Sequence, residues 1–398
     1  MISLSLKTKS FLLNPSRFLL FRSSAYSTAN HIRILGIESS CDDTAAAIVS
    51  SQGIILSEAA RNQSEIHSSY GGIVPSLAAE HHTISMPYVI REALDNANLE
   101  IPDLDAIAVT RGPGMPGSLA VCLNAAKTLA AVYRKPLVGV HHMEAHALMA
   151  RMGNEENLKF PFLCLLVSGG HTLLLVAKNV NEYTTLGTTV DDSIGEAYDK
   201  ISRLLQIPQK IQNSTNTLLD NNDYANMSYG QALEYCARSG DEKRFSLPTP
   251  MNKSDTASSL NFSFSGLKSA ISRMVDSKEF LLENGTNQAD MAASFQYTIA
   301  KHLSKKIKLG LQKAKSLGFD PKSFVISGGV ASNLYIRNAL TKFSTKNNME
   351  IHFPPARLCT DNGVMIAWAG IERFRLGLID PYSITFRQRW PLDDLGKE

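Results

Sequence analysis

FLCLLVSGGHTLLLVA, residues 162–177, sets two apolar runs on either side of a glycine pair. Phe162–Ser168 and Thr172–Ala177 predict buried strands, with Gly169-Gly170-His171 as the turn between them. The same plan occurs about 130 residues earlier. Ile32–Glu38 (IRILGIE) and Thr44–Val49 (TAAAIV) are apolar runs joined by Ser39-Ser40-Cys41-Asp42-Asp43, which places two acids at the tip. A hairpin repeated at so long an interval predicts two similar lobes rather than a solenoid of short repeats.

The segments around the hairpins alternate. Residues 80–98 have helical spacing, Ala106–Thr110 predicts a buried strand, Leu119–Tyr133 a helix and Leu137–Val140 a short strand. Phe324–Ser327 predicts another strand, followed by Gly328-Gly329 and a helix from Asn333. Strands alternating with helices predict an α/β protein with mixed sheets. Gln209–Asn226, rich in asparagine, predicts an exposed polar insertion.

Composition narrows the function classes. With 44% hydrophobic and 19% charged residues, the 398-residue chain can bury the core of two ordinary domains. No run approaches the ~20 apolar residues of a membrane span. Residues 1–30 carry Lys7, Lys9, Arg17 and Arg22 but no acid, the pattern of a mitochondrial transit peptide. Without those four cations, 36 basic residues face 37 acidic ones, so nucleic-acid contact requires a local patch rather than overall charge. The five cysteines form no C-x-x-C pair, which argues against a disulfide framework and a cysteine zinc site.

His141-His142-Met143-Glu144-Ala145-His146 carries the sharpest chemistry. On a helix His142 and His146 share a face and can share a metal; they can equally be two buried or surface histidines. A zinc protease needs H-E-x-x-H. Here the acid is Glu144, about 200° around the helix from His142, so it cannot serve as that mechanism's base. Asp361, before the apolar helix Val364–Phe374, is either a helix cap or a third ligand. Two imidazoles and one carboxylate suit iron(II), or zinc with an open position. Gly169-Gly170 and Gly328-Gly329 each follow an apolar strand, where backbone amides can approach a phosphate. Their equivalent placement implies a nucleotide between the lobes, although neither the P-loop nor the dinucleotide fingerprint is present. Lys301, Lys305 and Lys308 share a helical face, and Arg373, Arg375, Arg387 and Arg389 cluster near Trp390. Such groups contact RNA phosphates and stack on bases, or form solvated faces.

Together these motifs resemble the tRNA N6-threonylcarbamoyladenosine transferases, long labelled O-sialoglycoprotein endopeptidases, and in particular their mitochondrial branch. The resemblance spans residues 32–392 and rests on GIESSCDDTAAAIV (36–49), YGGIVPSLAAEHH (70–82), GPGMPGSL (112–119), HHMEAH (141–146), LLVSGGHT (165–172), DDSIGEAYDK (191–200), FSFSGLK (262–268), SGGVASN (327–333) and CTDNG (359–363). It implies the actin-like, sugar-kinase-like ATPase fold with duplicated RNase H-like lobes. The expected first lobe is 31–150, completed by 364–398; the second is 151–363, with the insertion at 209–226.

The resemblance also implies one divalent metal per subunit, iron or zinc, on His142, His146 and Asp361. It implies adenylate binding by Leu166, Val167, Ser168, Gly169, Gly170, Asp199, Gly230, Glu234, Ser332, Asn333 and Thr360. The family's Pro-Gly-Gly run is missing after Ile207-Pro208, which leaves Gly230 as the matching glycine. Asp42-Asp43 stands where many relatives have Asp-Glu. The implied reaction transfers threonylcarbamoyl from threonylcarbamoyl-adenylate to N6 of the adenosine 3′ of the anticodon in tRNAs reading ANN codons. Asp42 or Asp43 is the expected base, Lys301, Lys305, Lys308, Arg387 and Arg389 the expected RNA contacts, and a homodimer in the mitochondrial matrix the expected state. Rival expectations are an ATPase or nucleotide-binding scaffold of this fold in mitochondrial genome maintenance and, behind these, a metalloprotease.

Overall fold

The computed structural model describes residues 31–68, 70, 72–207, 227–277, 280 and 285–397. The expected transit peptide (1–30) and polar insertion (209–226) lie outside the described residues. The first half runs β1 (Arg33–Glu38), β2 (Asp43–Ser50), β3 (Ile55–Asn62), α1 (Ser64–Ser68), α2 (Pro75–Ala97), β4 (Ala106–Gly112), α3 (Pro116–Val132), β5 (Leu137–His141) and α4 (His142–Leu148). The second half runs β6 (Phe162–Val167), β7 (Thr172–Asn179), β8 (Glu182–Thr188), α5 (Ile194–Leu204), α6 (Tyr229–Ala237), α7 (Ser265–Val275), α8 (Gly285–Ser316), β9 (Ser323–Ser327), α9 (Leu334–Lys346), β10 (Glu350–His352) and α10 (Gly363–Arg375).

Among the described residues these strands form two five-stranded sheets of one plan. The orders are β3-β2-β1-β4-β5 and β8-β7-β6-β9-β10. In each, the first three strands pair antiparallel and the last two continue parallel. The repeated hairpin is therefore β1–β2 and β6–β7. The strands β3, β8 and β10 went unanticipated because these edge strands, unlike β5, carry no apolar run. In β3 only Ser57 and Ala59 are buried, so its sequence lacks an apolar run.

Both faces of the central strands are covered, which explains their continuous apolar runs. On β1, Leu35 and Ile37 join Val89, Leu94 and Leu123 from α2 and α3. The opposite face meets α10: Ile34, Val49 and Ala108 pack with Val364, Ala367 and Trp368. Gly36 permits this approach, because a Cβ there would lie 2.2 Å from the Ala367 nitrogen. Helix α4 contributes to two cores. Ala145 and Leu148 pack with the first sheet, while Met143 and Ala147 pack with Phe162, Cys164 and Val325 of the second. The histidine motif thus sits between the sheets. Among the described residues, no helix is long and apolar enough to cross a membrane.

Candidate active site

Helix α4 starts where β5 ends, and its His141 cap accepts from the Met143 N–H at 3.1 Å. The imidazoles of His142 and His146 meet edge to face with centroids 4.8 Å apart. Both Nε2 atoms face one oxygen, Oδ1 of Asp361, at 3.4 and 3.1 Å. One ligand atom from each of the three residues lies within 4.8 Å of the others. The helix cap is Asn362, whose side chain accepts from the Met365 N–H at 2.8 Å, so Asp361 is free of that duty.

Burial alone would strip His142 of its proton, but the Asp361 and Glu38 carboxylates overcome it and hold its pKa up to about 10. Burial likewise raises Asp361, yet His142 and His146 hold it well below the usual carboxylate range. The pocket calls for positive charge, and a divalent cation can supply it in place of a proton. Two imidazoles and a carboxylate are a fitting donor set for iron or zinc.

Glu144 has no part in this cluster. It is fully buried and turned away, accepting from the Asn181 N–H at 2.7 Å, the Tyr183 hydroxyl at 3.2 Å and Arg373 at 2.9 Å. That arrangement matches the helical geometry expected from the sequence and removes the protease base. It also corrects the expected terminal arginine cluster: Arg373 is the buried partner of Glu144 rather than a surface cation.

The glycine turn lies between β6, which ends in Leu166 and Val167, and β7. Ser168 donates its N–H to the His171 carbonyl at 2.9 Å, closing the turn. Gly169 and Gly170 are exposed, and among the described residues a Cβ on either would meet no atom within 4 Å. Packing therefore does not require glycine there, whereas close approach of a ligand to the backbone would. Gly328 differs: it has φ +96°, and a Cβ would press on the Val167 carbonyl. Asp199 accepts from the Gly230 N–H, and burial pushes its carboxyl up to about 6 despite Arg203. Glu234 accepts from the Leu334 N–H at 2.8 Å, at the start of α9, whose cap is Asn333. Ser332 donates to the Gly329 carbonyl at 2.7 Å, and a Cβ at Gly329 would lie 3.7 Å from the Thr360 methyl. The segment from Thr360 to Asp361 thus connects the second glycine loop to the histidine pair.

The family model for TsaD, tRNA N6-adenosine threonylcarbamoyltransferase, matches residues 54–368. The chain belongs to this family. A tRNA N6-adenosine threonylcarbamoyltransferase of Rhizobium leguminosarum bv. trifolii is 43% identical over 370 residues, covering 91% of this chain and 94% of its own length. A probable mitochondrial tRNA N6-adenosine threonylcarbamoyltransferase of Arabidopsis thaliana is 41% identical over 385 residues, covering 92% of this chain and 76% of its own. Full-length HypF, in its phosphate- and nucleotide-bound form, superimposes with a TM-score of 0.52 at 13% identity, over 87% of this chain and 46% of that one. That likeness concerns the fold alone. It agrees with the duplicated sheets in giving the two-lobed actin-like, sugar-kinase-like ATPase architecture.

In this threonylcarbamoyltransferase-family chain the acids at the first hairpin tip differ in setting. Burial raises the Asp43 carboxyl and a hydrogen bond from Asn62, at 2.6 Å, lowers it; the charges of Asp42, Asp361 and Glu38 add to the rise, to about 7. Asp42 is half-buried beside it. Sequence reasoning assigned no role to His82, which braces this turn. Its Nε2 donates to the Cys41 carbonyl at 2.8 Å, and its Nδ1 faces Thr44 Oγ1 at 2.7 Å. Nor did it assign one to His171 beside the glycine turn. Burial pushes that imidazole down to about 4, helped by the charges of His142 and His146.

The expected RNA contacts lie on separate elements. Lys301 and Lys308 are exposed on α8, while Lys305 donates to Asn252 at 2.7 Å. Their neighbour Lys306 is buried and donates to the Ser259 carbonyl at 2.6 Å. Arg389 is exposed, and Arg387 lies over Trp390 at 5.0 Å. Trp390 is buried, with Arg111 also against it, so its ring is no platform for an RNA base.

Proposed function

We propose that this chain makes N6-threonylcarbamoyladenosine in tRNA, at the adenosine 3′ of the anticodon in tRNAs reading ANN codons. The N6 amine attacks the carbamoyl carbon of threonylcarbamoyl-adenylate, the carbon–oxygen bond to the phosphate breaks, and AMP leaves. The single observation that carries this reading, beside family membership, is the convergence of His142, His146 and Asp361 next to a glycine loop that is open to a ligand.

A divalent ion, iron or zinc, held by those three residues would supply Lewis-acid polarisation of the donor's carbonyl and phosphate oxygens. The amides of Gly169 and Gly170, at the end of Leu166-Val167-Ser168, hold the phosphate side of the adenylate. Asp199, Gly230, Glu234, Ser332, Asn333 and Thr360 seat its nucleoside. Asp43 takes the proton released by N6 as the new bond forms. Burial raises its carboxyl above the usual aspartate range, which makes it a stronger base than an exposed aspartate. Asp42 raises the basicity of Asp43 through its charge. Lys301, Lys308, Arg387 and Arg389 contact the tRNA backbone, with Lys305 secondary to them.

We further assign residues 1–30 to a mitochondrial transit peptide and the working enzyme to the matrix, readings supported by the acid-free leader and the mitochondrial Arabidopsis relative, and we propose that it works as a homodimer, as the family resemblance implies. The lobes are 31–150 with 364–398, and 151–363. The packing of α10 on β1 supports that division.

The test is nucleoside mass spectrometry. The purified, metal-loaded chain is incubated with unmodified tRNA and threonylcarbamoyl-adenylate, and the digested RNA is examined for threonylcarbamoyladenosine. Product is expected, and it should vanish with chelator and in His142→Ala and Asp361→Ala variants that remain folded. If both variants keep full activity, the metal role is wrong. Size-exclusion chromatography with light scattering reports the oligomeric state.

A further inference from the structure

Glu38 is fully buried at the end of β1. Among the described residues, its only cationic partner within ion-pair distance is His142. A buried carboxylate so placed needs several donors to be tolerated. Its position follows from strand alternation. Ile34, Gly36 and Glu38 share the face of β1 turned toward α10, and the parallel register Ile37↔Val109 brings Thr110 alongside Glu38.

The donors are specific. Oε1 accepts from the Ser40 N–H at 2.5 Å, and Oε2 accepts from the Thr110 hydroxyl. The same Oε2 lies 3.3 Å from Nδ1 of His142, with Ser40 Oγ at 3.2 Å from that nitrogen. An ionised carboxylate can only accept, so the contact between Oε2 and Nδ1 is favourable only when Nδ1 carries the proton, with the Ser40 hydroxyl then a second acceptor. The other nitrogen, Nε2, is the one aimed at Asp361. His146 differs: among the described residues its buried Nδ1 has no hydrogen-bond partner, so no comparable contact there fixes its ring.

We infer that Glu38 is the positioning residue of the centre, holding His142 with Nδ1 protonated so that Nε2 presents its lone pair to the ion shared with His146 and Asp361. This inference rests on the reading of those three residues as a metal centre. Partners that orient a ligating imidazole typically contribute about 10–100-fold to metal affinity.

Glu38→Gln probes the claim with little change of shape. An amide has one acceptor and one donor end. If its oxygen stays on Ser40, its NH2 faces His142 Nδ1 and drives the proton to Nε2; if it turns, two N–H groups confront each other at Ser40. The expected result is a zinc dissociation constant raised about 10–100-fold, read by competition with a chromogenic chelator on the full chain. His142→Ala serves as the reference for a lost ligand. Binding by Glu38→Gln equal to that of the unmodified chain, with His142→Ala weakened, overturns the role of Glu38 and leaves the centre standing. Equal binding by all three overturns the centre and the inference together.

A second measurement needs no variant. In the zinc-loaded chain, imidazole 1H–15N multiple-bond spectra should show His142 with protonated Nδ1 and metal-bound Nε2. Zinc on Nδ1 of His142 overturns the inference even if Glu38→Gln fails to fold.

Discussion

Asp43→Asn should make the protein more stable as pH rises, while destroying its activity. In the unfolded chain this aspartate titrates near 3.8; in the folded chain burial and three neighbouring carboxylates push it up to about 7. A carboxyl whose folded pKa lies above its unfolded value binds its proton more tightly when folded. Stability is therefore lost as pH climbs from about 4 through 7, because the unfolded chain ionises first and the folded chain must follow at a cost. About three pKa units at ~1.36 kcal/mol each set a ceiling near 4 kcal/mol at pH 8. Asparagine keeps the shape and can still accept from Asn62, but it cannot ionise.

The assay is urea unfolding in chelator, followed by the fluorescence of the two tryptophans, Trp368 and Trp390, both buried. The variant's advantage should grow by about 2–3 kcal/mol between pH 5 and pH 8, since about two units separate pH 5 from the folded value. In parallel, transfer by the unmodified, metal-loaded chain should rise with pH as Asp43 ionises and then level off, with the variant inactive throughout. An advantage that is the same at pH 5 and pH 8 would refute the reasoning, because it would mean that Asp43 does not titrate between them.

Other substitutions separate binding, packing and charge. Gly170→Ala should leave the unfolding free energy within about 0.5 kcal/mol of the original, since its methyl meets no atom of the described residues, yet raise KM for threonylcarbamoyl-adenylate about tenfold or more by crowding the phosphate. Gly36→Ala should cost about 3 kcal/mol or more in urea unfolding, because its Cβ would meet backbone atoms of α10 at 2.2 and 2.4 Å. Glu144→Ala should cost about 3–5 kcal/mol by leaving Arg373 buried and unpaired, with unchanged zinc affinity in the folded protein. A loss of zinc affinity there would place Glu144 within the centre.

Much of the architecture was legible because the repeated hairpin is local. Each of its strands is apolar on both faces, and the turn between them announces itself in glycines or acids. The pairing of His142 with His146 was legible for the same reason, since four residues on a helix is a local distance. Glu38 was not: it closes an apolar strand, and its partner His142 lies 104 residues away, joined to it only through the order β1-β4-β5. Arg373 was misjudged because charge alone does not reveal depth. On α10, which is buried over most of its length, an arginine has to find an acid, and Glu144 is 229 residues from it in sequence. The same holds for Lys306, whose neighbours Lys301 and Lys308 are exposed while it points inward. Asp361 was open to two assignments until Asn362 took the cap.

The packing of α10 on β1 has a consequence for synthesis. A chain emerging from the ribosome completes β1 to β5 some 220 residues before it reaches Gly363, so the face of the first sheet bearing Ile34, Val49 and Ala108 has no cover during that interval. At a translation rate of ~5–20 residues per second, this amounts to roughly ten to forty seconds of exposed apolar surface. Asp361 arrives only with the same helix. Whether the chain emerges from a ribosome or enters a compartment N-terminus first, it delivers both histidines of the centre long before the carboxylate that unites them, and the centre can close only once nearly the whole chain is available to fold.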